Sequence, residues 1–291
     1  RNGPNSRVVT VARATGPRGA RTIKDMFSSL FKKQSKAPMD EGASKPRLID
    51  GCVQCRQYEP EGERNGVTIV LLTDVAGLPG IGDFPLELAR HGYQIMVIDV
   101  FRGQPWVDNG TEPYETWRAR HPVERVDQDI ASAILFALEQ SARVVLFGIC
   151  FGGGAAWRAI EGSTRARLVG DRLKAAVLLY PTRVEPSTTD FLRAPTLVVV
   201  AEDDTCAHPT LPYAEYLASI NNAFNRAPAG SRLLKVPGTT HGFVHRPAPN
   251  DTARRLAADT IGQIVEWLDE AVPRLDPRAL RRLELEETLK C

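Results

Sequence analysis

Cysteine is scarce in this chain, with five residues among 291: Cys52, Cys55, Cys150, Cys206 and Cys291. The odd count, with no recognisable signal peptide, speaks against a disulfide-stapled secreted scaffold. Cys52 and Cys55 form a lone Cys-x-x-Cys. No second pair follows at a suitable spacing, so a closed structural zinc site is not expected. The pair precedes a polar loop and a strand, which is not the setting of a thioredoxin-type redox motif, so both read as structural or incidental. No apolar run reaches the length of a membrane-spanning helix. A Walker-type phosphate loop, a dinucleotide fingerprint and internal repeats are all lacking, and no cofactor is expected. The net charge of +2 singles out no polyanionic partner, nucleic acid included.

What is present is a hydrophobic content of 43%, enough for one α/β domain of about 220–250 residues. Charge is uneven. Residues 1–39 carry Arg1, Arg7, Arg13, Arg18, Arg21, Lys24, Lys32, Lys33 and Lys36 against the single acid Asp25. An Arg-rich, acid-poor start with Ser and Thr resembles an organelle transit segment, mitochondrial or plastid. It equally suits a disordered tail of a cytoplasmic protein, or a basic arm docking on a larger assembly. Ile23, Met26, Phe27, Leu30 and Phe31 would share one face of a short amphipathic helix over 22–33.

Cys150 carries most of the chemical information. It lies in Gly148-Ile149-Cys150-Phe151-Gly152-Gly153, directly after the apolar run Val144-Val145-Leu146-Phe147. A buried strand, a sharp turn with a nucleophile at its tip, and a helix make a nucleophile elbow. The usual motif is Gly-x-Ser-x-Gly, with Cys in place of Ser here. The flanking glycines suit a strained turn where strand and helix pass too close for side chains. The helix start favours both a thiolate and a developing oxyanion.

Two later segments complete the pattern. The apolar run 196–201 ends in Glu202-Asp203-Asp204. A short strand over 233–236 leads to Pro237-Gly238-Thr239-Thr240-His241-Gly242-Phe243. Nucleophile, acid and His thus follow strands in the chain order of α/β-hydrolases, at the strand ends where open α/β sheets bind ligands. In such a triad Cys150 attacks an ester or lactone carbonyl. His241 moves the proton, and an acid holds the His tautomer. Asp203 and Asp204 compete for the acid role. Adjacent side chains diverge, so only one can face His241, and Asp204 is the choice.

On these residues the chain resembles the dienelactone hydrolase (carboxymethylenebutenolidase-like) family over roughly residues 48–272. Phe101-Arg102-Gly103-Gln104-Pro105 is similar to a stretch of its eukaryotic members. The resemblance implies an α/β-hydrolase fold, a mostly parallel sheet with helices on both faces. It also implies a cofactor-independent hydrolase of small esters or lactones that works through a thioester. It places Asp74 near the nucleophile as the carboxylate that restrains the resting thiol, where the bacterial prototype has Glu. It makes the backbone N–H groups of Val75 and Phe151 the oxyanion donors. Arg102 and Arg246 become the candidates for binding a substrate carboxylate, although the bacterial form has its Arg where this chain has His245.

Along the chain, residues 1–45 read as a basic extension and 46–64 as a lead-in with polar turns. Strands are expected over 67–73, 95–100, 144–147 and 175–180, and helices over 84–91, 126–139 and 252–268. The long connection 105–123 reads as a lid or pocket wall, with Trp106, Tyr114 and Trp117 as candidate lining. The domain spans 46–272. Residues 273–291 form an extension with leucines at 280, 283, 285 and 289, suited to an extra helix packed on the domain or on a partner. An accessory subunit of an organellar assembly, gripped through both extensions, is the rival reading.

Overall fold

The computed structural model describes residues 9–10, 46–108, 112–162, 169–187, 191–276 and 278–282. The amphipathic pattern over 22–33 and the leucines at 283, 285 and 289 lie outside the described residues.

The apolar runs fold into a nine-stranded sheet. Its strands are β1 (Val9–Thr10), β2 (Arg47–Ile49), β3 (Val53–Tyr58), β4 (Thr68–Leu72), β5 (Gln94–Ile98), β6 (Val144–Ile149), β7 (Ala175–Leu179), β8 (Thr196–Asp203) and β9 (Arg232–Thr240). The order across the sheet is β1-β9-β8-β7-β6-β4-β5-β3-β2. Pairing is parallel from β1 through β5. It becomes antiparallel where β3 joins β5 and β2 joins β3. Every residue of β4, β6 and β7 is buried, because helices cover both faces.

Two apolar layers result. On one face lie α4 (Val123–Gln140), α5 (Phe151–Ile160) and α6 (Tyr213–Ala223), which contribute Val126, Ile130, Trp157, Tyr216 and Ile220. On the other lie α2 (Phe84–Ala89) and α7 (Asp251–Ala271), with Leu88, Ile264, Trp267 and Leu268. Asn250 caps α7 by accepting the Ala253 N–H at 2.9 Å, satisfying one otherwise orphaned donor of its first turn. Two short helices complete this set: α1 (Gly77–Gly80) and α3 (Tyr114–Ala119). Among the described residues no helix is long and apolar enough to cross a membrane.

The lead-in differs from its expected polar turns. Residues 47–58 form the hairpin β2–β3, turned at Asp50 and Gly51 with φ of 49° and 70°. Asp-Gly is a strong hairpin signal for this reason, since both positions need positive φ. Cys52 sits exposed at that turn, while Cys55 is buried in β3. The connection 105–123 is anchored to the domain by its two Trp side chains. Trp106 and Trp117 are buried, and the Trp117 indole donates to the Gln104 carbonyl at 2.9 Å. Residues 278–282 are helical and bring Leu280 against Gly66. A Cβ on Gly66 would stand 2.8 Å from the Leu280 Cδ1.

Candidate active site

Cys150 occupies the turn between β6 and α5 with φ 54° and ψ −110°, a strained conformation for a residue with a side chain. Close packing enforces it. A Cβ on Gly148 would lie 2.4 Å from the Gly152 carbonyl oxygen. One on Gly152 would lie 2.4 Å from the Leu72 oxygen and 2.6 Å from the Thr73 oxygen. Glycine at these places lets the helix start sit directly on the end of β4, and Gly152 N–H donates to Thr73 at 3.1 Å.

That contact sets two backbone donors at the same strand ends. The N–H groups of Val75 and Phe151 donate no hydrogen bond among the described residues. Both residues are buried. Unspent N–H groups beside a nucleophile are what an oxyanion hole requires.

Asp204 leaves the end of β8 and His241 the end of β9. The His241 Nδ1 lies 2.9 and 2.8 Å from the two Asp204 oxygens. Asp204 Oδ1 also accepts the Cys206 N–H at 2.9 Å, which ties the carboxylate to its own turn. Asp203 is exposed and pairs with Thr240 in the sheet. Glu202 is exposed and accepts the Gly238 N–H at 2.8 Å. Cys150 is the other group whose proximity acts on the His241 ring. Burial alone would lower the His241 pKa. The Asp204 carboxylate, the neighbouring Cys150 and their hydrogen-bond contributions outweigh it and hold the imidazole well above its ordinary value.

Asp204, Cys206 and His241 also place three potential metal-ligand atoms within 4.8 Å of one another. Two of the three are already spent on each other in the Asp204–His241 pair. Burial pushes the Cys206 thiol up to about 11, so at neutral pH it is neither a thiolate ligand nor a competing nucleophile. The cluster is better described as an acid–base pair with a neighbouring neutral thiol.

The structure departs from the family expectation at three residues. Among the described residues Asp74 makes no hydrogen bond to Cys150. Its Oδ1 accepts the Ala76 N–H at 3.0 Å, and its Oδ2 lies 3.1 Å from His245 Nε2 and pairs with Arg246. Arg246 Nε donates to His245 Nε2 at 3.0 Å, and the Tyr180 hydroxyl meets His245 Nδ1. The Tyr180 ring packs edge-on to His241 at 4.9 Å. Asp74 and Arg246 thus pair beside the loop carrying Val75, and Arg246 is not among the residues lining the cavity at Cys150. Burial lowers the Arg246 pKa to about 10 and the His245 pKa to about 3.

Arg102 points elsewhere. It forks onto Asp129 of α4 at 3.1 and 2.7 Å, and Arg125 adds a third contact to that carboxylate at 2.8 Å. The cause is the preceding turn. Asp99 accepts the N–H groups of Phe101 at 3.0 Å and Gly103 at 2.7 Å, which forces Arg102 to φ 50°.

Cys150 opens into a cavity of about 90 Å3 whose walls include Val75, Tyr114, Arg183, Cys206 and His208. Arg183 and His208 escaped the sequence reading because they sit on connections with no motif. Of the three aromatics expected in the pocket wall, only Tyr114 lines this cavity.

A parallel sheet with a strained nucleophile turn after one strand, and an acid and a His after two later ones, defines the α/β-hydrolase class. A profile of the dienelactone hydrolase family matches residues 53–272, and the chain belongs to that family. A cutinase, Est2 of Thermobifida alba, is 28% identical over 187 residues, covering 63% of this chain. The match spans about half of that cutinase, 53% of its length. Among solved structures, a dienelactone hydrolase from Anabaena variabilis aligns at TM-score 0.52 and 16% identity, over 79% of this chain and 99% of its own. A lidless α/β serine hydrolase from Xanthomonas campestris aligns at 0.55 and 14% identity, over 82% and 99%. At these identities the likeness speaks for the fold.

Proposed function

We propose that this chain hydrolyses small carboxylic esters or lactones through a thioester on Cys150, with His241 as proton carrier and Asp204 as its orienting acid. The reading rests above all on the Asp204–His241–Cys150 relay. Both carboxylate oxygens lie on Nδ1, which leaves Nε2 to the thiol at the strained elbow.

The steps follow from that geometry. The Cys150 thiolate attacks the carbonyl carbon, and the oxygen's new charge falls to the N–H groups of Val75 and Phe151. Collapse breaks the ester C–O bond, and the departing alkoxide takes the proton from the His241 Nε2. Neutral His241 then removes a proton from water. The resulting hydroxide attacks the thioester, and the Cys150 thiolate leaves with the imidazolium restored. The Xanthomonas campestris structure with this fold is that of a serine hydrolase; a thiol in place of the hydroxyl changes the intermediate from an ester to a thioester.

The test is hydrolysis of p-nitrophenyl acetate by the wild type beside Cys150→Ala. The expected result is turnover that falls by roughly 10^4-fold or more in the variant, as for removal of a triad nucleophile. Turnover that survives the substitution would overturn the assignment.

A further inference from the structure

Cys206 stands beside the triad without a task in it. It lines the same cavity of about 90 Å3 as Cys150. Its sulfur lies within 4.8 Å of a His241 ring nitrogen and of an Asp204 oxygen. Electrostatics tie the same groups together. Cys150 raises the cost of a charge on Cys206, His241 lowers it, and Cys150 also bears on the His241 ring. Two thiols and one imidazole thus meet at a single cavity.

The backbone accounts for the meeting. Thr182 N–H donates to the Cys150 carbonyl at 3.1 Å, and the next N–H, of Arg183, donates to the Ala207 carbonyl at 2.7 Å. Consecutive residues after β7 therefore hold the elbow and the segment carrying Cys206 side by side. The two cysteines differ in freedom. Cys150 is fixed at the strained elbow with φ 54°. Cys206 lies on the turn after β8, outside helix and strand, with its N–H held by Asp204 at 2.9 Å. Cys52 and Cys55 belong to the β2–β3 hairpin, and β7, β6, β4 and β5 stand between that hairpin and β8.

Peroxide oxidation begins at a thiolate that opens into a cavity, and a second thiol within reach decides whether it ends in a reversible product. The cavity admits a molecule of peroxide size, water's own share of liquid volume being about 30 Å3.

We propose that Cys150 and Cys206 form a redox modification site, in which a peroxide oxidises Cys150 and Cys206 closes a disulfide onto it. The Cys150 thiolate attacks one oxygen of hydrogen peroxide and the O–O bond breaks. The departing hydroxide takes the His241 proton and leaves as water, with Cys150 now a sulfenic acid. His241, neutral at this point, removes the Cys206 proton. That base is needed, because burial pushes the Cys206 thiol up to about 11. The Cys206 sulfur then attacks the Cys150 sulfur, the S–O bond breaks, and hydroxide leaves with the proton from His241. Two thiols lose two electrons and one hydrogen peroxide becomes two waters. The bridge keeps Cys150 from sulfinic acid, which thiols do not reverse, and masks the nucleophile until a dithiol reduces it. The proposal goes beyond ester hydrolysis and needs no ester to be turned over.

The experiment exposes the full chain to dilute hydrogen peroxide, blocks the remaining free thiols, and maps tryptic peptides without reduction. Cys150 and Cys206 fall on separate peptides, 144–158 and 194–226. In the wild type these peptides are expected joined and two hydrogens lighter, and dithiothreitol should separate them with both thiols restored. In Cys206→Ser the joined species should be lost, and Cys150 should accumulate as sulfinic acid that dithiothreitol does not reverse. Cys150 of the wild type oxidised to sulfenic or sulfinic acid with Cys206 still free would overturn the proposal. So would Cys150 joined to another cysteine, or sulfinic acid forming equally fast in both proteins. Joined peptides in a chain that hydrolyses no ester would uphold the redox site and remove the hydrolase reading. Ester turnover with no joined peptides would do the reverse.

Discussion

Gly152→Ala probes the contact on which the whole site is built. The new methyl carbon would stand 2.4 Å from the Leu72 oxygen and 2.6 Å from the Thr73 oxygen, where ordinary contacts begin at 3.4 Å. Both obstacles are backbone atoms, so no flexible side chain can yield. The elbow and the end of β4 must separate by about 1 Å, stretching the 3.1 Å hydrogen bond from Gly152 to Thr73. Overpacking of this kind costs about 1–3 kcal/mol. At about 2–4 °C per kcal/mol for a domain of this size, the melting temperature should drop by several degrees. The two oxyanion donors flank the wedge, with Phe151 on one side and Val75 on the other. A displacement of that size should lower kcat by about 10^2-fold. Gly262→Ala is the control. It lies within α7 with nothing within 4 Å of the added carbon, so it should leave kcat alone and raise stability by about 0.5–1 kcal/mol. Esterase kinetics and thermal unfolding of the two variants read both effects. Wild-type kcat and melting temperature in Gly152→Ala would refute the argument that this close approach shapes the site.

Asp204→Asn should lower kcat by about 10^3–10^4-fold through loss of the His241 tautomer, whereas Asp203→Asn, at an exposed position, should leave it near wild type; ester kinetics on the pair decide between the two acids. His245 is buried neutral, with its pKa lowered from 6.5 to about 3. The unfolded chain therefore takes up a proton below about 6.5 that the folded chain refuses. Stability should fall as pH drops from there toward 3, by up to about 1.4 kcal/mol per unit. Denaturant unfolding of His245→Gln across that window should show a shallower acid limb. Arg102→Ala should reduce stability by about 1 kcal/mol, because Asp129 is buried but keeps Arg125. KM for small esters should not change, and a raised KM would return Arg102 to the substrate site.

The elements that a sequence displays well are those whose physics is local. The β6 run, the Gly-x-Cys-x-Gly turn and the chain order of Asp204 and His241 each carry their own signature, and the fold class follows from them. That only one of Asp203 and Asp204 can face His241 was legible, because neighbouring side chains point apart; which one does so is decided by the hydrogen bonds of Asp204 to His241. The β2–β3 hairpin had a local signal in Asp50-Gly51 that the polar surroundings concealed. The functions of Asp74, Arg246 and Arg102 were not legible, for a different reason. Each is decided by which partner arrives from a distant segment: His245 and Arg246 for Asp74, Asp129 for Arg102. A charge after a strand can face the cleft or a neighbouring helix, and the Asp99 turn that rotates Arg102 away becomes visible only with its hydrogen bonds. Arg183 and His208 lie on connections without a motif, and their place on the cavity wall is a property of three-dimensional surroundings.

The central claim is that Cys150 carries the acyl group. Brief reaction with p-nitrophenyl acetate, acid quench, and peptide mass analysis tests it most directly. The account expects an acetyl adduct on the peptide containing Cys150, released by hydroxylamine, absent in Cys150→Ala and accumulating in a variant whose His241 cannot activate water. An adduct on Cys206 or another residue, or steady turnover with no adduct at Cys150 under any quench, would contradict it.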